Sequence, residues 1–377
     1  MGADVVTGRV PVERAGRAWP DRRRRGHGPR RRLGAGALAA LAVGAVACST
    51  TAHSGGGGAS SSSPLPSPAG SPLTSLQQQF EQVVARVLPS VVEISTSQGL
   101  GSGVVYDHNG DIVTNAHVVG TAKTVRVRLA SGGTALPAKV TGVFPPDDLA
   151  VVKVESGAGS LHPASFGRSA PVRVGELVLA MGNPLGLNGT VTQGIVSATG
   201  RTVSEGQGGS GVLISAIQTS APINPGNSGG ALVDLAGQVI GIPTLAATDP
   251  ELGGTAPGIG FAIPSDTVTR IAGQLISTGK VTNSGRAALG IVAETVANGL
   301  GQPAGVGVVS VKAGGGAARA GIRAGDIIVA VAGRPTPSAT QLTTVLAAHK
   351  PGDQVPVRVR HNGSTRTVQV TLGSLTS

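Results

Sequence analysis

This sequence predicts a mainly β chain of two domains, and three observations lead there. Its 377 residues include 60 glycines but only 2 % aromatics, which suits many short strands joined by tight turns and not long amphipathic helices. Short apolar runs recur through residues 90–264, each closed by glycine or proline, as in a pair of β-barrels or a sandwich. The composition shifts at residues 281–285, and residues 286–375 then alternate strand-like runs with two helical patches. With 40 % apolar residues there is enough material to bury a core in each domain.

From the N-terminus, residues 1–32 form a basic region. The first 47 residues carry ten arginines against Asp4, Glu13 and Asp21, which is seven of the eleven net positive charges and leaves +4 for the rest. The arginines at 22–25 and 30–32 sit directly before the uncharged apolar stretch 33–47. Basic flank followed by apolar segment is the pattern of an export signal or membrane anchor. The charge therefore belongs to targeting, and no nucleic-acid partner is expected. The segment 33–48 is shorter than the roughly 20 residues a spanning helix needs. It ends in Ala45-Val46-Ala47-Cys48, which resembles a bacterial lipobox, so Cys48 is a candidate for lipidation. An uncleaved anchor and full release remain open. One cysteine allows no intrachain disulfide, so an exported domain stands on its core alone.

Residues 49–73 are rich in Ser, Gly and Pro, cannot bury a core, and are expected to be a disordered spacer. A catalytic-type domain is expected over 74–280. It opens with a helix, because Leu76, Phe80, Val83, Val84, Val87 and Leu88 fall at helix spacing, and Pro89 should stop it. Strands are expected at 90–95, 124–129, 149–154 and 176–180. Asn109-Gly110 between two apolar runs signals a hairpin. Residues 265–279 read as a helix with Ser265 as its N-cap.

Three segments carry chemistry. Thr114-Asn115-Ala116-His117 places a histidine just after a strand, Asp147-Asp148-Leu149 opens a strand with aspartates, and Gly226-Asn227-Ser228-Gly229-Gly230 sets a serine in a glycine turn. A serine hydroxyl needs an adjacent base, histidine titrates near the working pH, and a carboxylate fixes the imidazole tautomer. Small residues around Ser228 let the amides of Gly226 and Ser228 point at one spot as an oxyanion hole. Each residue alone is ordinary. In the order His, Asp, Ser on a β-barrel pattern they make a catalytic triad of His117, Asp148 and Ser228, with Asp147 the rival for the acidic role. The remaining histidines are scattered without ligand spacing, so neither metal nor cofactor is expected.

The blocks TNAHVV, DDLAVVKV, GNPLGLNGTVTQGIVSATGR, IQTSAPINPGNSGGALVDLAGQVIGI and GIGFAIPSD resemble those of bacterial HtrA/Deg proteases, of the actinobacterial type. The resemblance implies a chymotrypsin-like double β-barrel with the site in its cleft, followed by a PDZ domain over 286–375. It favours Asp148 over Asp147, because the family's Asp-apolar-Ala-apolar order begins there. Arg201, read as lying on a loop, matches an arginine that relays PDZ state to the active site. Ala288, Leu289, Gly290 and Ile291 match the loop that holds a peptide's terminal carboxylate. Only seven residues separate Tyr106 from Thr114, where cage-forming members carry a long insertion, so an open site is implied. The resemblance further implies a homotrimer near the 76–88 helix, unfolded extracytoplasmic proteins as substrates, cleavage after small aliphatic residues and peptide C-termini as regulators. The competing reading is an inert peptide-binding chaperone or scaffold, which has no need of all three triad groups.

Overall fold

The computed structural model describes residues 72–97, 99–184, 189–204, 212–224, 226–249 and 254–377. The expectations for the basic region, the apolar segment, Cys48 and most of the spacer lie outside the described residues. Among the described residues, no helix is long and apolar enough to cross a membrane.

Helix α1 (Pro72–Val87) leads into a 3-10 turn, Leu88–Ser90, at the proline expected to stop it. The first barrel follows: β1 (Val91–Ser95), β2 (Leu100–Val105), β3 (Asp111–Thr114), the short helix α2 (Ala116–Val119), β4 (Thr124–Leu129), β5 (Leu136–Phe144) and β6 (Leu149–Val154). It closes in the order β1-β2-β3-β6-β5-β4. The second barrel contains β7 (Leu177–Gly182), β8 (Thr190–Ser204), β9 (Val212–Thr219), β10 (Ala231–Val233), β11 (Val239–Asp249) and β12 (Gly254–Pro264). Its order is β10-β11-β12-β9-β8-β7. Closure leaves neither barrel an unpaired edge.

The strand pattern explains how the barrels join. Val92 and Ile94 fill the first barrel with Ile112, Val127 and Val152, while their neighbour Val91 points the other way, as strand geometry requires. It enters a core shared by both barrels, with Val104, Leu149 and Val151 from the first and Leu179, Met181 and Ile263 from the second. β6 is buried on both faces and correspondingly reads as a near-continuous apolar run. That shared core holds the cleft between the barrels in fixed geometry.

Helix α3 (Ser265–Thr278) seals the shared core with Val268, Ile271, Ala272 and Leu275, a stripe at i, i+3, i+4 and i+7. Each large member stabilises by about 1.5–3 kcal/mol through burial. Ser265 is not the N-cap. It is the first helical residue, preceded by extended Pro264, and its hydroxyl donates to the Gly167 carbonyl at 2.7 Å. On α1, Val83 and Val87 are covered by the chain's own shared core. Val84 and Leu88 border an open groove of about 330 Å³ with Pro89, Leu129 and His162.

The second domain contains β13 (Ala287–Ala288), β14 (Ile291–Ala297), β15 (Pro303–Val311), α4 (Gly316–Arg319), β16 (Ile327–Val331), β17 (Arg334–Pro335), α5 (Ala339–Leu346), β18 (Gln354–His361), β19 (Ser364–Thr371) and β20 (Gly373–Ser374). Its sheet runs β14-β15-β16-β18-β19, with β17 on β16 and β13 paired to β20. A separate core of Val306, Ile328, Val345, Val357 and Val370 supports it. The segment 281–285, where the composition shifts, is tied to residues 375–377. Val281 N–H donates to Ser377 Oγ at 2.7 Å, and Ser284 Oγ donates to the Leu375 carbonyl at 2.8 Å.

Candidate active site

His117 lies on α2, a single turn that follows β3 directly. Asp148 ends the 3-10 turn Pro145–Asp147 in left-handed conformation, φ 48°, a strained position for a residue with a side chain. The strain turns both ends of Asp148 toward α2. Its carbonyl accepts from Ala116 N–H at 3.1 Å and from Asn115 Nδ2 at 3.0 Å. Its carboxylate accepts from His117 N–H at 3.0 Å and meets His117 Nδ1 at 2.8 Å. Asp148 is buried, while nearly half of the imidazole surface is open to the cleft.

Ser228 sits between the barrels on the turn that enters β10. Gly226 has φ +106° and Gly229 φ +81°, conformations that favour glycine. A side chain at Gly229 would meet the Ser102 carbonyl oxygen at 2.2 Å, so the first barrel's β2 fits only against glycine there. No described hydrogen bond uses the amides of Gly226 or Ser228. The Ser228 hydroxyl donates to the Thr244 carbonyl at 3.3 Å.

Thr244 on β11 was not singled out in the sequence. Its hydroxyl donates to Asp148 Oδ2 while its carbonyl receives the Ser228 hydroxyl, so it touches both Asp148 and Ser228. A lone threonine in a strand gives no signal in one sequence. Among the described residues, no cluster of three or more His, Cys, Asp or Glu is placed to hold a metal.

The pattern of the trypsin-like peptidase domain matches residues 101–242, and that of the PDZ domain residues 287–372. Serine protease PepD of Mycobacterium tuberculosis is 44 % identical over 314 residues, 78 % of this chain and 66 % of that protein. Serine protease Do-like HtrA of Lactobacillus helveticus is 40 % identical over 285 residues, 72 % of this chain and 68 % of the relative. The crystal structure of the serine endoprotease from Yersinia pestis superposes with a TM-score of 0.53 at 37 % identity, over 78 % of this chain and 98 % of that one. The chain belongs to the HtrA family of serine proteases. It spans about two thirds of the length of the first two named relatives and less of others.

In this HtrA family member Arg286, at the start of the PDZ domain, lies against the turn that ends at Asp148. Asp147, next to Asp148, turns away from the imidazole and pairs with Arg286 at 2.8 Å, both side chains nearly buried. The same guanidinium donates to the Pro146 carbonyl. Burial holds the Asp147 carboxyl above its ordinary value of 3.8, outweighing the attraction of Arg286 and Arg270. A carboxyl raised in the folded state adds stability fully present below 3.8 and lost as pH rises through its folded value. Arg286→Met should deepen that loss, because it leaves a buried charge unpaired. The expected cost is about 3–5 kcal/mol at neutral pH, shrinking toward pH 4, measured by urea unfolding at both pH values.

Ala288, Leu289, Gly290 and Ile291 all line a cleft of about 530 Å³. It runs between β14 and α5, is floored by Leu342 and Leu346, and reaches Pro145, Pro146 and Ile214 of the barrels. β14 is the sheet's outer strand, so its free edge faces the cleft. Gly290 has φ +78°, and its carbonyl accepts from Lys312 N–H at 2.9 Å. Arg201 is not on a loop. It lies exposed within β8, paired with Ala216 of β9 just past the irregularity at Gly200. No described hydrogen bond or ion pair joins it to the triad or to the PDZ domain.

Proposed function

We propose that this chain is a serine endopeptidase that hydrolyses unfolded or damaged extracytoplasmic proteins through an acyl-enzyme, with His117, Asp148 and Ser228 as triad. The observation that carries the reading is Asp148 at 2.8 Å from His117 Nδ1, across the cleft from a serine whose turn presents two amides without described acceptors. Ser228 Oγ attacks the scissile carbonyl carbon as His117 Nε2 takes its proton. The oxyanion forms against the amides of Gly226 and Ser228. His117 then gives the proton to the leaving amine, and water repeats the sequence in reverse to release the acid. The open imidazole face supports a cleft accessible to polypeptides. Casein cleavage that disappears on loss of the Ser228 hydroxyl separates this reading from that of an inert scaffold.

Residues 74–280 carry out the catalysis and residues 286–375 the peptide binding. Residues 1–32, 33–48 and 49–73 serve as basic flank, export or anchor segment and spacer. Relatives named as periplasmic endoproteases support a place outside the cytoplasm, and the arginine-flanked segment supports tethering, through an anchor or through lipid on Cys48. The mass of the mature N-terminus tests that. A homotrimer is the assembly the family resemblance favours, with the open groove beside Val84 and Leu88 available to a neighbour; a monomeric mass in light scattering would end it.

Regulation follows from the cleft beside β14. A peptide adds there as one more strand, its carboxylate on the amides of 288–291. It shifts the protease only by its differential affinity for the active arrangement. Peptides with a free apolar C-terminus should therefore stimulate cleavage of an unrelated reporter about 5- to 150-fold, and amidated peptides should not. Arg201→Ala should bind peptide yet lose the stimulation. A wild-type response in that variant removes Arg201 from the relay.

A further inference from the structure

Ser102 lies in the middle of β2 with none of its surface exposed, and every polar group it has is hydrogen-bonded. Its N–H donates to the Ser228 carbonyl at 2.8 Å, and its carbonyl accepts from Thr114 Oγ1 at 2.6 Å. Its hydroxyl accepts from Asn183 N–H at 2.8 Å and donates to the Gly226 carbonyl at 2.5 Å. The flanking glycines make this possible. A Cβ at Gly101 would meet Val118 at 2.6 Å, and one at Gly103 would meet Ile112 and Ile94 at 2.7 Å. β2 therefore lies too close to the first barrel's core for side chains at 101 and 103, while residue 102 projects between the barrels.

A hydroxyl has one proton to donate, and Ser102 spends it on the turn that carries the nucleophile. The Gly226–Asn227 peptide is thereby held at both ends, its carbonyl by Ser102 Oγ and its N–H by the Asn224 carbonyl at 3.0 Å. Being planar, it cannot turn without breaking both bonds. The two amides read above as the oxyanion hole sit on either side of this clamped unit, at Gly226 and Ser228. Gly226 has no Cβ to fix its backbone, so an unclamped turn would be free to point its amide elsewhere.

We propose that Ser102 is a positioning residue for the oxyanion hole, acting through the Gly226 carbonyl. This rests on the reading of Gly226 and Ser228 as that hole. Without the hydroxyl, the Gly226 amide loses its fixed aim at the developing oxyanion, and losing one such donor costs about 10²–10³ in turnover. Substrate binding, which precedes the oxyanion, is largely untouched.

The test uses the full-length protein and compares wild type, Ser102→Ala, Ser102→Cys and Ser228→Ala on a fluorogenic peptide. A peptide boronate, whose tetrahedral adduct engages the same amides, serves as the second probe. Ser102→Ala should lower kcat about 100-fold per folded molecule, with KM within about twofold, and should weaken the boronate by a similar factor. Ser102→Cys keeps the size and a weak thiol donor, so it should fall between the two and carry the test if the alanine variant does not fold. A purely structural serine would lower the melting temperature while leaving kcat per folded molecule and boronate affinity at wild-type values, and that result overturns the proposal. An active Ser228→Ala would instead overturn the reading of the site on which it rests.

Discussion

Ser228→Ala should leave a folded protein whose casein turnover falls by about 10⁶-fold. The substitution removes one oxygen from a half-buried side chain whose described hydrogen bond, to the Thr244 carbonyl, is a long one at 3.3 Å. Little stability rests on that bond, so the melting temperature should stay close to wild type. In the proposed mechanism the chemistry rests on that oxygen entirely, because Ser228 is the one hydroxyl residue of the turn 226–230. What remains should be the modest acceleration from binding and from the oxyanion amides, which do not depend on the nucleophile. Thermal melting alongside casein degradation checks both halves at once. Turnover within tenfold of wild type would sink the triad, whatever the fold.

The fold was legible in the sequence where local chemistry decides structure. Glycine-closed apolar runs became two closed barrels, and Asn109-Gly110 sits in the tight turn between β2 and β3, where the Asp107 carboxylate accepts from the backbone of Asn109 and Asp111. Pro89 ended α1 as its missing N–H demands. Where a tertiary partner decides, the reading fell short. Ser265 looked like a cap, but Gly167 lies within reach of its hydroxyl and takes it. Residues 281–285 showed only a shift in composition, whereas Ser374 and Ser377, about ninety positions away, bind their backbone. Arg201 is read as a loop residue with the family resemblance, yet pairing with Ala216 carries the strand through it.

The site divides along the same line. His117, Asp148 and Ser228 stand out because the proposed acyl transfer restricts their residue types and the motifs around them are long. Thr244 and Ser102 were silent, because a hydroxyl in a strand has many uses and only the opposite barrel reveals which one applies. Asp147 and Arg286 were silent as a pair, since 139 residues separate them and only the docked PDZ domain brings the charges together.

The adjacent aspartates allow the sharpest separation of roles. Asp148→Asn should lower kcat by about 10⁴-fold while KM stays near wild type. Asp148 accepts at once from His117 Nδ1, from His117 N–H and from the Thr244 hydroxyl. An asparagine there keeps the size but offers an amide N–H₂ on one side, and the imidazole must then take the tautomer that cannot accept the serine proton. It also provides no charge to stabilise the imidazolium. Asp147→Asn differs by one position and touches none of this. Its carboxylate faces Arg286 and the 145–147 turn, so kcat should remain within a few fold. Its effect should appear in unfolding, where removing a carboxyl that burial pushes upward flattens the part of the stability curve that falls as pH rises above 3.8. Steady-state kinetics on both variants, with urea unfolding across pH for Asp147→Asn, decides the assignment. If Asp147→Asn loses the larger factor in kcat, the acid of the triad is Asp147, and the contact between His117 and Asp148 is structural.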